Sequence, residues 1–216
     1  MKTTKPRRGG RPTKQASERM AAEIVDTARR LFIEQGFAAT TMEQVIDACG
    51  IGKDTLYRRF STKEELFAQV AAAAQDRTLA WFDRMDAGAP ADPLDRVRHL
   101  ARWFLDANLD PELLALKREA FIEAMRTRPL VQEDAFTPHL VKAVSTAHAA
   151  GRIHAPDPEF TAAQLLAAVV LGPNNDALMG ATSLDDSSAR NEWFDRAWGL
   201  FLSGAAPHPR QDPRSS

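Results

Sequence analysis

The sequence predicts an all-α fold, in which a small head of three helices precedes a larger helical body. Apolar residues recur at helical spacing along most of the chain, and almost no segment alternates with the two-residue period of a strand. Glycine and proline fall between these periodic segments, where helices end and begin. With 44% hydrophobic residues in a length of 216, the chain can bury a core in one or two domains.

Charge is distributed unevenly along the chain. Residues 1–63 contain 13 Lys and Arg against 7 Asp and Glu, whereas the remaining residues contain 15 against 22. A basic head on an acidic body is typical of a protein whose head alone meets a polyanion such as DNA. Chance clustering is the alternative, because the first few residues supply much of the excess.

Cysteine content and hydropathy indicate the compartment. Cys49 is the only cysteine, so the chain has no internal disulfide, which suits a reducing cytosol. The basic start MKTTKPRRGGRP is not followed by an apolar segment, so we expect no secretory signal. The longest apolar run is far shorter than the roughly 20 residues of a membrane span. We therefore expect a soluble cytoplasmic protein without a membrane partner.

The chain is expected to begin with a flexible basic arm, residues 1–16, which is polar and contains two glycines and a proline. Ser17 is a suitable cap for the first helix. Gly36 ends that helix, because glycine takes the left-handed conformation at little cost. The apolar side of this helix consists of Met20, Ile24, Ala28, Leu31 and Phe32.

Two short helices joined by a tight turn follow. The second helix begins at Thr41, and Gln44 stands three residues later, as a capping box requires. Gly50 ends it after about two turns, and Gly52 opens a third helix. The side chains expected to face the core are Met42, Val45, Ile46 and Cys49 on the second helix, then Leu56 and Phe60.

A fourth helix is predicted from the capping box formed by Ser61 and Glu64. Its apolar side continues to the break DAGAPADP, after which the composition changes to that of the body. We expect a head over residues 17–78, a body over 79–203 and a flexible tail over 204–216.

Proline punctuates the predicted helices of the body. Asp-Pro pairs at 110–111 and 157–158 open two helices, since proline suits a first turn. Pro138 predicts a kink or a split within a helical segment. Gly172-Pro173 interrupts a later one, with a continuation possible. A last helix is expected over about 187–202.

The third helix carries side chains that can read DNA. Lys53, Asp54, Tyr57 and Arg58 share one side of it, while Leu56 holds the opposite side against the core. A helix of this kind can enter the major groove, where Lys and Arg donate to guanine. An aspartate can accept from cytosine, or it can pair with the arginine four residues later and orient it.

Phosphate contacts are expected around this helix, from the start of the second helix, from Lys63 and from the arm. Each has a plainer alternative: Thr41 only caps its helix, Lys63 is merely solvated, Tyr57 belongs to the core and the arm is a solvated tail. The expected DNA-binding residues are Arg7, Arg8, Arg11, Lys14, Thr40, Thr41, Gly52, Lys53, Asp54, Thr55, Tyr57, Arg58, Arg59 and Lys63.

The segment FAATTMEQVIDACGIGKDTLYRRFSTKEEL resembles the DNA-binding domain of TetR-family transcriptional regulators. That family's pattern runs roughly F-x-x-T-T-(hydrophobic)-x-x-I-A-x-x-A-G-V-S-K-G-T-L-Y-x-Y-F-x-S-K-E-x-L, and the resemblance covers about residues 18–78 without a gap. The chain departs from the pattern at Ile51-Gly52, at Asp54 and at Arg59. Glycine at 52 removes a usual cap and phosphate ligand, and Asp54 prevents the operator from being copied from relatives.

The resemblance implies that the body binds a small apolar or amphipathic effector and forms a homodimer through its last two long helices. The segments KREAFIEAMRTRPLVQEDAF and AAQLLAAVVLGPNNDALMG look similar to a subgroup related to repressors of multidrug efflux systems. An ordinary core role is the alternative for every residue chosen here. Effector candidates are Trp81, Trp103, Phe104, Phe121, Met125, Phe136, His139 and Met179. Dimer candidates are Leu165, Leu166, Val169, Val170, Trp193, Phe194, Ala197, Trp198 and Phe201.

The sequence gives little support for an enzymatic function. None of the five histidines forms a close pair, and no phosphate loop, dinucleotide fingerprint or G-x-S-x-G motif is present. We therefore expect no catalytic residue, no metal and no cofactor. The prediction is a homodimeric, ligand-responsive repressor that binds double-stranded DNA. The alternatives are an activator of the same fold, a DNA-binding protein without an effector, a helical enzyme with a DNA-binding head and a helical adaptor.

Overall fold

A computed structural model describes residues 14–126 and 135–205, with side chains for 14–119 and 135–205. Every regular element within these residues is a helix, which confirms the predicted all-α class. They form two compact units, one ending at Ala74 and one beginning at Gln75. Within the same residues, no helix is both long and apolar enough to cross a bilayer.

The first unit contains three helices and the start of a fourth. These are α1 (Lys14–Gln35), α2 (Met42–Cys49), α3 (Lys53–Tyr57) and α4 (Lys63–Ala87), which continues into the second unit. Gly36 ends α1 with a left-handed φ of 84°, as its position predicted. The buried core of this unit includes Ile24, Ala28, Phe32, Met42, Val45, Leu56, Phe60, Leu66 and Val70.

The second unit packs the remaining helices around one apolar core. Its helix α5 contacts α7 and α10, and α7 also contacts α8. The core draws side chains from α4, α5, α7, α8 and α10. The helices are α5 (Pro93–Asn108), α6 (Pro111–Arg126), α7 (Thr137–Ala149), α8 (Pro158–Leu166), α9 (Gly172–Leu178) and α10 (Ser187–Ala205), with a π-helical turn (Ala167–Leu171) between α8 and α9.

Two predicted helix starts, those of α1 and α4, need correction. α1 is already helical at Lys14, so Ser17 lies inside it. The hydroxyl of Thr62 caps α4 by accepting the Glu65 N–H at 3.1 Å, so the cap lies one residue later than predicted. The Glu65 carboxylate accepts the N–H of Ser61 at 2.7 Å. Pro138 lies in the first turn of α7, where no N–H is needed. The helix begins there without a kink, which agrees with the predicted split, and residues 127–134 before it lie outside the described residues.

Pro173 does not end its helix, because a π-helical turn precedes it. Proline has no N–H, so the carbonyl four residues earlier, that of Val169, loses its usual donor. That carbonyl instead accepts the indole N–H of Trp193 at 2.9 Å. The bond joins α10 to the π-helical turn and gives the Val169 carbonyl a side-chain donor.

Candidate nucleic-acid interface

The turn between α2 and α3 is set by Gly50. Its φ of 63° is left-handed, and its N–H donates to the carbonyls of Ile46 and Asp47, which closes the end of α2. Gly52 has an ordinary extended backbone and provides no side-chain cap for α3. Leu56, with 0% of its surface exposed, fixes the inner side of α3 in the core.

The outer side of α3 carries three exposed charged side chains, those of Lys53, Asp54 and Arg58. The Lys53 ammonium lies 3.6 Å from a carboxylate oxygen of Glu43 on α2 and 5.5 Å from the centre of the Tyr57 ring. These are weak contacts for an exposed group, so Lys53 stays available to a polyanion. Tyr57 is half-buried. Its exposure is therefore intermediate between that expected of a DNA contact and that expected of a core residue.

Asp54 and Arg58 do not form the pair that their spacing suggested. Across residues 14–119 and 135–205, no ion pair joins them. Lys53 is instead the α3 residue that pairs with a carboxylate. Asp54 and Arg58 are therefore both presented to solvent from the same helix, and a ligand that contacts this surface meets one charge of each sign.

The start of α2 forms the predicted capping box. The Thr41 hydroxyl accepts the Gln44 N–H at 3.2 Å, and the Gln44 side chain accepts the Thr41 N–H at 2.7 Å. Thr41 is exposed, so its hydroxyl proton remains free to donate to an anion.

Thr40 differs from its neighbour and corrects the prediction of a phosphate contact. Only 1% of its surface is exposed. Its hydroxyl donates to the Gly36 carbonyl at 2.8 Å and accepts from the Gln35 side chain at 3.2 Å. Thr40 therefore stabilises the end of α1 by hydrogen bonds inside the head.

Lys63 is neither solvated nor free. Its ammonium donates to the carbonyls of Phe37 at 2.7 Å, Ala38 at 3.4 Å and Thr40 at 2.9 Å, and it lies 4.3 Å from the centre of the Phe37 ring. An ammonium has three donors, and all three are used here. Lys63 thus ties α4 to the turn that leads into α2, and both readings taken from the sequence need correction.

Arg59 is also turned inward. The guanidinium of this half-buried side chain donates to the Ser17 hydroxyl at 2.8 Å, while its Nε is buried without an acceptor in the described part of the chain. It joins the end of α3 to α1 and contributes less to the exposed surface than predicted. Lys14 is exposed near Glu18, and the arm residues Arg7, Arg8 and Arg11 lie outside the described residues.

Several predicted effector residues meet in one aromatic cluster of the second unit. Trp81, Trp103, Phe104, Phe136 and His139 gather there, with Phe82 among them. Phe82 was not among the predicted effector residues. The sequence around Phe82 indicates only a core residue, because the aromatic rings that contact it come from helices distant in the chain.

The remaining effector candidates lie elsewhere. Met179 is 89% exposed just after α9, so it lines no interior site, which corrects its assignment. Phe121 and Met125 belong to α6, but their side chains lie outside the described residues. A separate open groove between α7 and the start of α8, lined by Val141, Thr146 and Pro156, contains none of the predicted effector residues.

Most of the predicted dimer residues fill the core of their own chain. Leu165, Val169, Val170, Phe194 and Trp198 are buried within the second unit, so their alternative as core residues applies. Leu166, Ala197 and Phe201 pack partly against the same core. The large apolar side chains that are exposed in this region are Phe160, Leu171, Met179, Trp193 and Leu200. Of these, only Trp193 was among the predicted dimer residues.

The head is a helix-turn-helix domain by its geometry, and comparison with known proteins identifies its family. Residues 24–70 match the model of bacterial regulatory proteins of the tetR family. The regulator AcrR of Shigella flexneri is 28% identical over 109 residues, which cover 50% of this chain and 51% of AcrR. The repressor KstR2 of Mycobacterium tuberculosis is 33% identical over 79 residues, 36% and 38% of the two chains. The head of this chain, residues 24–70, is therefore a DNA-binding domain of the TetR type.

Solved structures extend the similarity to the whole fold. A TetR-family regulator from Mesorhizobium loti covers 90% of this chain and 100% of its own, with a TM-score of 0.65 and 23% identity. A regulator from Saccharomonospora viridis, solved in complex with choline, gives a TM-score of 0.67 at 16% identity, covering 86% and 96%. At these identities the similarity concerns the fold. The curated relatives are matched over about half of their length or less, as for AcrR and KstR2.

Proposed function

We propose that this protein is a cytoplasmic transcriptional repressor that binds a palindromic operator as a homodimer and is released by a small apolar or amphipathic effector. The observation that carries the proposal is the exposed, charged outer side of α3, held in place by the buried Leu56 within a TetR-type head. The role of repressor follows the printed name of KstR2. Relatives named as regulators support a regulatory role over an enzymatic one.

In this proposal α3 lies in the major groove. Arg58 and Lys53 donate to base edges or phosphates from its outer side, and Asp54 accepts from an exposed cytosine amino group. The Thr41 hydroxyl and the N-terminus of α2 hold a phosphate and fix the register. The arm with Arg7, Arg8 and Arg11 adds salt-sensitive affinity.

A second copy covers the exposed apolar surface of the last helices, which we call the α8–α10 face. It is defined by Phe160 and Leu171, together with Trp193 and Leu200 of α10. Phe160 and Leu171 lie three helical turns apart, with the small exposed residues Ala163 and Ala167 between them. Large side chains at the ends and small ones between permit close helix packing, and a two-fold dimer suits a palindromic site.

The proposal is tested by selecting duplexes that the full chain binds from a random pool, followed by affinity measurements on the selected site. We expect a palindrome. Arg58→Ala should weaken binding by about tenfold to a hundredfold and relax the preference at one position of each half-site. Arg30→Ala is the matched control, because it removes the same charge from an exposed position on α1. Failure to enrich any palindrome at physiological salt, or equal affinities for the two variants, would contradict the proposal.

A further inference from the structure

The indole N–H of Trp103 has no acceptor among the residues that the structure describes. Only 4% of this residue is exposed, and its Nε1 is buried without a hydrogen-bond partner in the described part of the chain. Buried donors in native proteins are nearly always paired, because an unpaired one forfeits its bond to water. Trp193, in contrast, donates its indole N–H to a carbonyl. The unpaired donor of Trp103 therefore calls for an acceptor that the described residues do not supply.

The surroundings of this donor are aromatic. Trp103 lies at ring-centre distances of 5.7 Å from Trp81, 4.8 Å from Phe82, 5.3 Å from Phe104 and 4.9 Å from Phe136. These neighbours provide flat apolar surfaces but no oxygen or nitrogen acceptor, and an aromatic face is only a weak acceptor for an N–H. The site therefore combines stacking surface with one unused donor.

The cluster reaches the surface on one side. Trp81 and Phe136 are only half-buried, and the exposed ring of His139 lies 4.7 Å from Phe82. The ring centres lie 4.7 to 5.7 Å apart, so a ligand that reaches Trp103 has to displace some of these ring contacts. In this inference one of the half-buried rings, that of Trp81 or Phe136, moves aside. A flat ligand then replaces the ring contacts that this movement breaks.

Charge narrows the class of ligand. No cation lies over the Trp103 ring among the residues whose side chains are described, and no ion pair there involves a cluster residue. An anion would lose its hydration without gaining a counterion, and a cation stacked on the rings would leave the indole N–H unpaired. A neutral ligand loses little, and its oxygen can take the free N–H.

We propose that the aromatic cluster around Trp103 is a binding site for a neutral aromatic molecule that carries a carbonyl-type acceptor, and that this acceptor pairs with the Trp103 indole N–H. The inference rests on the proposed function in one respect, since the ligand would be the effector of the regulator. Recognition depends on one polar contact within an apolar site. The presence of the acceptor should therefore decide affinity among ligands of equal shape.

The test uses the full chain labelled with ¹⁵N and the probes acetophenone and ethylbenzene, which differ mainly in the carbonyl. The four tryptophans give four indole N–H signals. We expect acetophenone to move the Trp103 signal downfield and to bind roughly fivefold more tightly than ethylbenzene. The Trp193 signal serves as an internal reference, because its N–H is already bonded.

Two variants provide the controls. Trp103→Phe keeps an aromatic ring but lacks the donor, so the preference for acetophenone should disappear. Trp81→Phe, in the same cluster, should keep it. If Trp103→Phe does not fold, the Trp103 signal is assigned by elimination from Trp81→Phe, Trp193→Phe and Trp198→Phe, and the wild-type titrations still decide.

Equal affinity for both probes, no binding of either up to its solubility, or tighter binding of phenyltrimethylammonium would each overturn the inference. Operator affinity is measured on the same samples without a probe. Binding of DNA with no acetophenone preference overturns the inference and leaves the regulator intact. An acetophenone preference in a protein that binds no duplex overturns the proposed function alone.

Discussion

Two lysines of the head illustrate how differently one residue type is used. Lys53 is exposed on α3 with one weak ion pair, whereas Lys63 gives all three of its donors to backbone carbonyls. Those carbonyls lie 23 to 26 residues earlier in the chain. Sequence spacing carries no signal for such a contact, which is why both Lys63 and the inward-facing Thr40 were assigned to DNA.

Lysine-to-methionine substitutions separate the two roles. Lys63→Met should lower the free energy of unfolding by about 2 kcal/mol, because three carbonyls lose a charged donor. Lys53→Met should leave stability within about 0.5 kcal/mol, since its contacts are exposed, and should weaken operator binding. Urea unfolding and operator titration of both variants provide the measurements. Equal stability of the two variants would contradict the structural role of Lys63.

For the individual helices, the sequence predicted most of the ends. The capping box of α2 and the left-handed Gly36 and Gly50 follow from local chemistry, and each is confirmed. The start of α4 was missed by one residue, because Ser61-Glu64 and Thr62-Glu65 are overlapping boxes in the sequence. Only the path of the chain after the buried Phe60 decides between them.

The two glycines of the α2–α3 turn should respond oppositely to substitution. Gly50→Ala should lower the unfolding free energy by about 1 kcal/mol, because its φ of 63° is unfavourable for any side chain although no atom lies near. Gly52→Ser should raise it by about 0.5 kcal/mol, since an ordinary extended backbone accepts serine and the hydroxyl caps α3. Thermal unfolding of both variants tests the pair. A loss of stability in Gly52→Ser would refute the cap.

For the chain as a whole, the sequence predicted the fold class and the family of the head. It did not predict which apolar side chains face outward. The helices from Pro158 to Ala205 are apolar on more than one side, so periodicity does not distinguish core from surface. Leu165 and Trp198 were therefore assigned to the dimer although they pack within the chain. Leu200, at 73% exposed, was passed over.

The α8–α10 face leads to a prediction about self-association of the chain. Leu200→Glu should weaken self-association by roughly a hundredfold, because a carboxylate would be buried without a partner. Ala149→Glu places the same charge at an exposed position on α7 and should leave association unchanged. Sedimentation velocity over a range of concentrations measures both. A dimer that persists in Leu200→Glu at wild-type strength would exclude this face as the interface.

The bond from Trp193 to the Val169 carbonyl also has a kinetic consequence. It joins α10 to the π-helical turn between α8 and α9 within one subunit, so the outer surface has its shape before any partner arrives. Two such subunits would associate as preformed bodies, with little loss of conformational entropy and without a slow rearrangement after the encounter. The missing amide hydrogen of a single proline would then help to make subunit assembly a rapid collision-limited event.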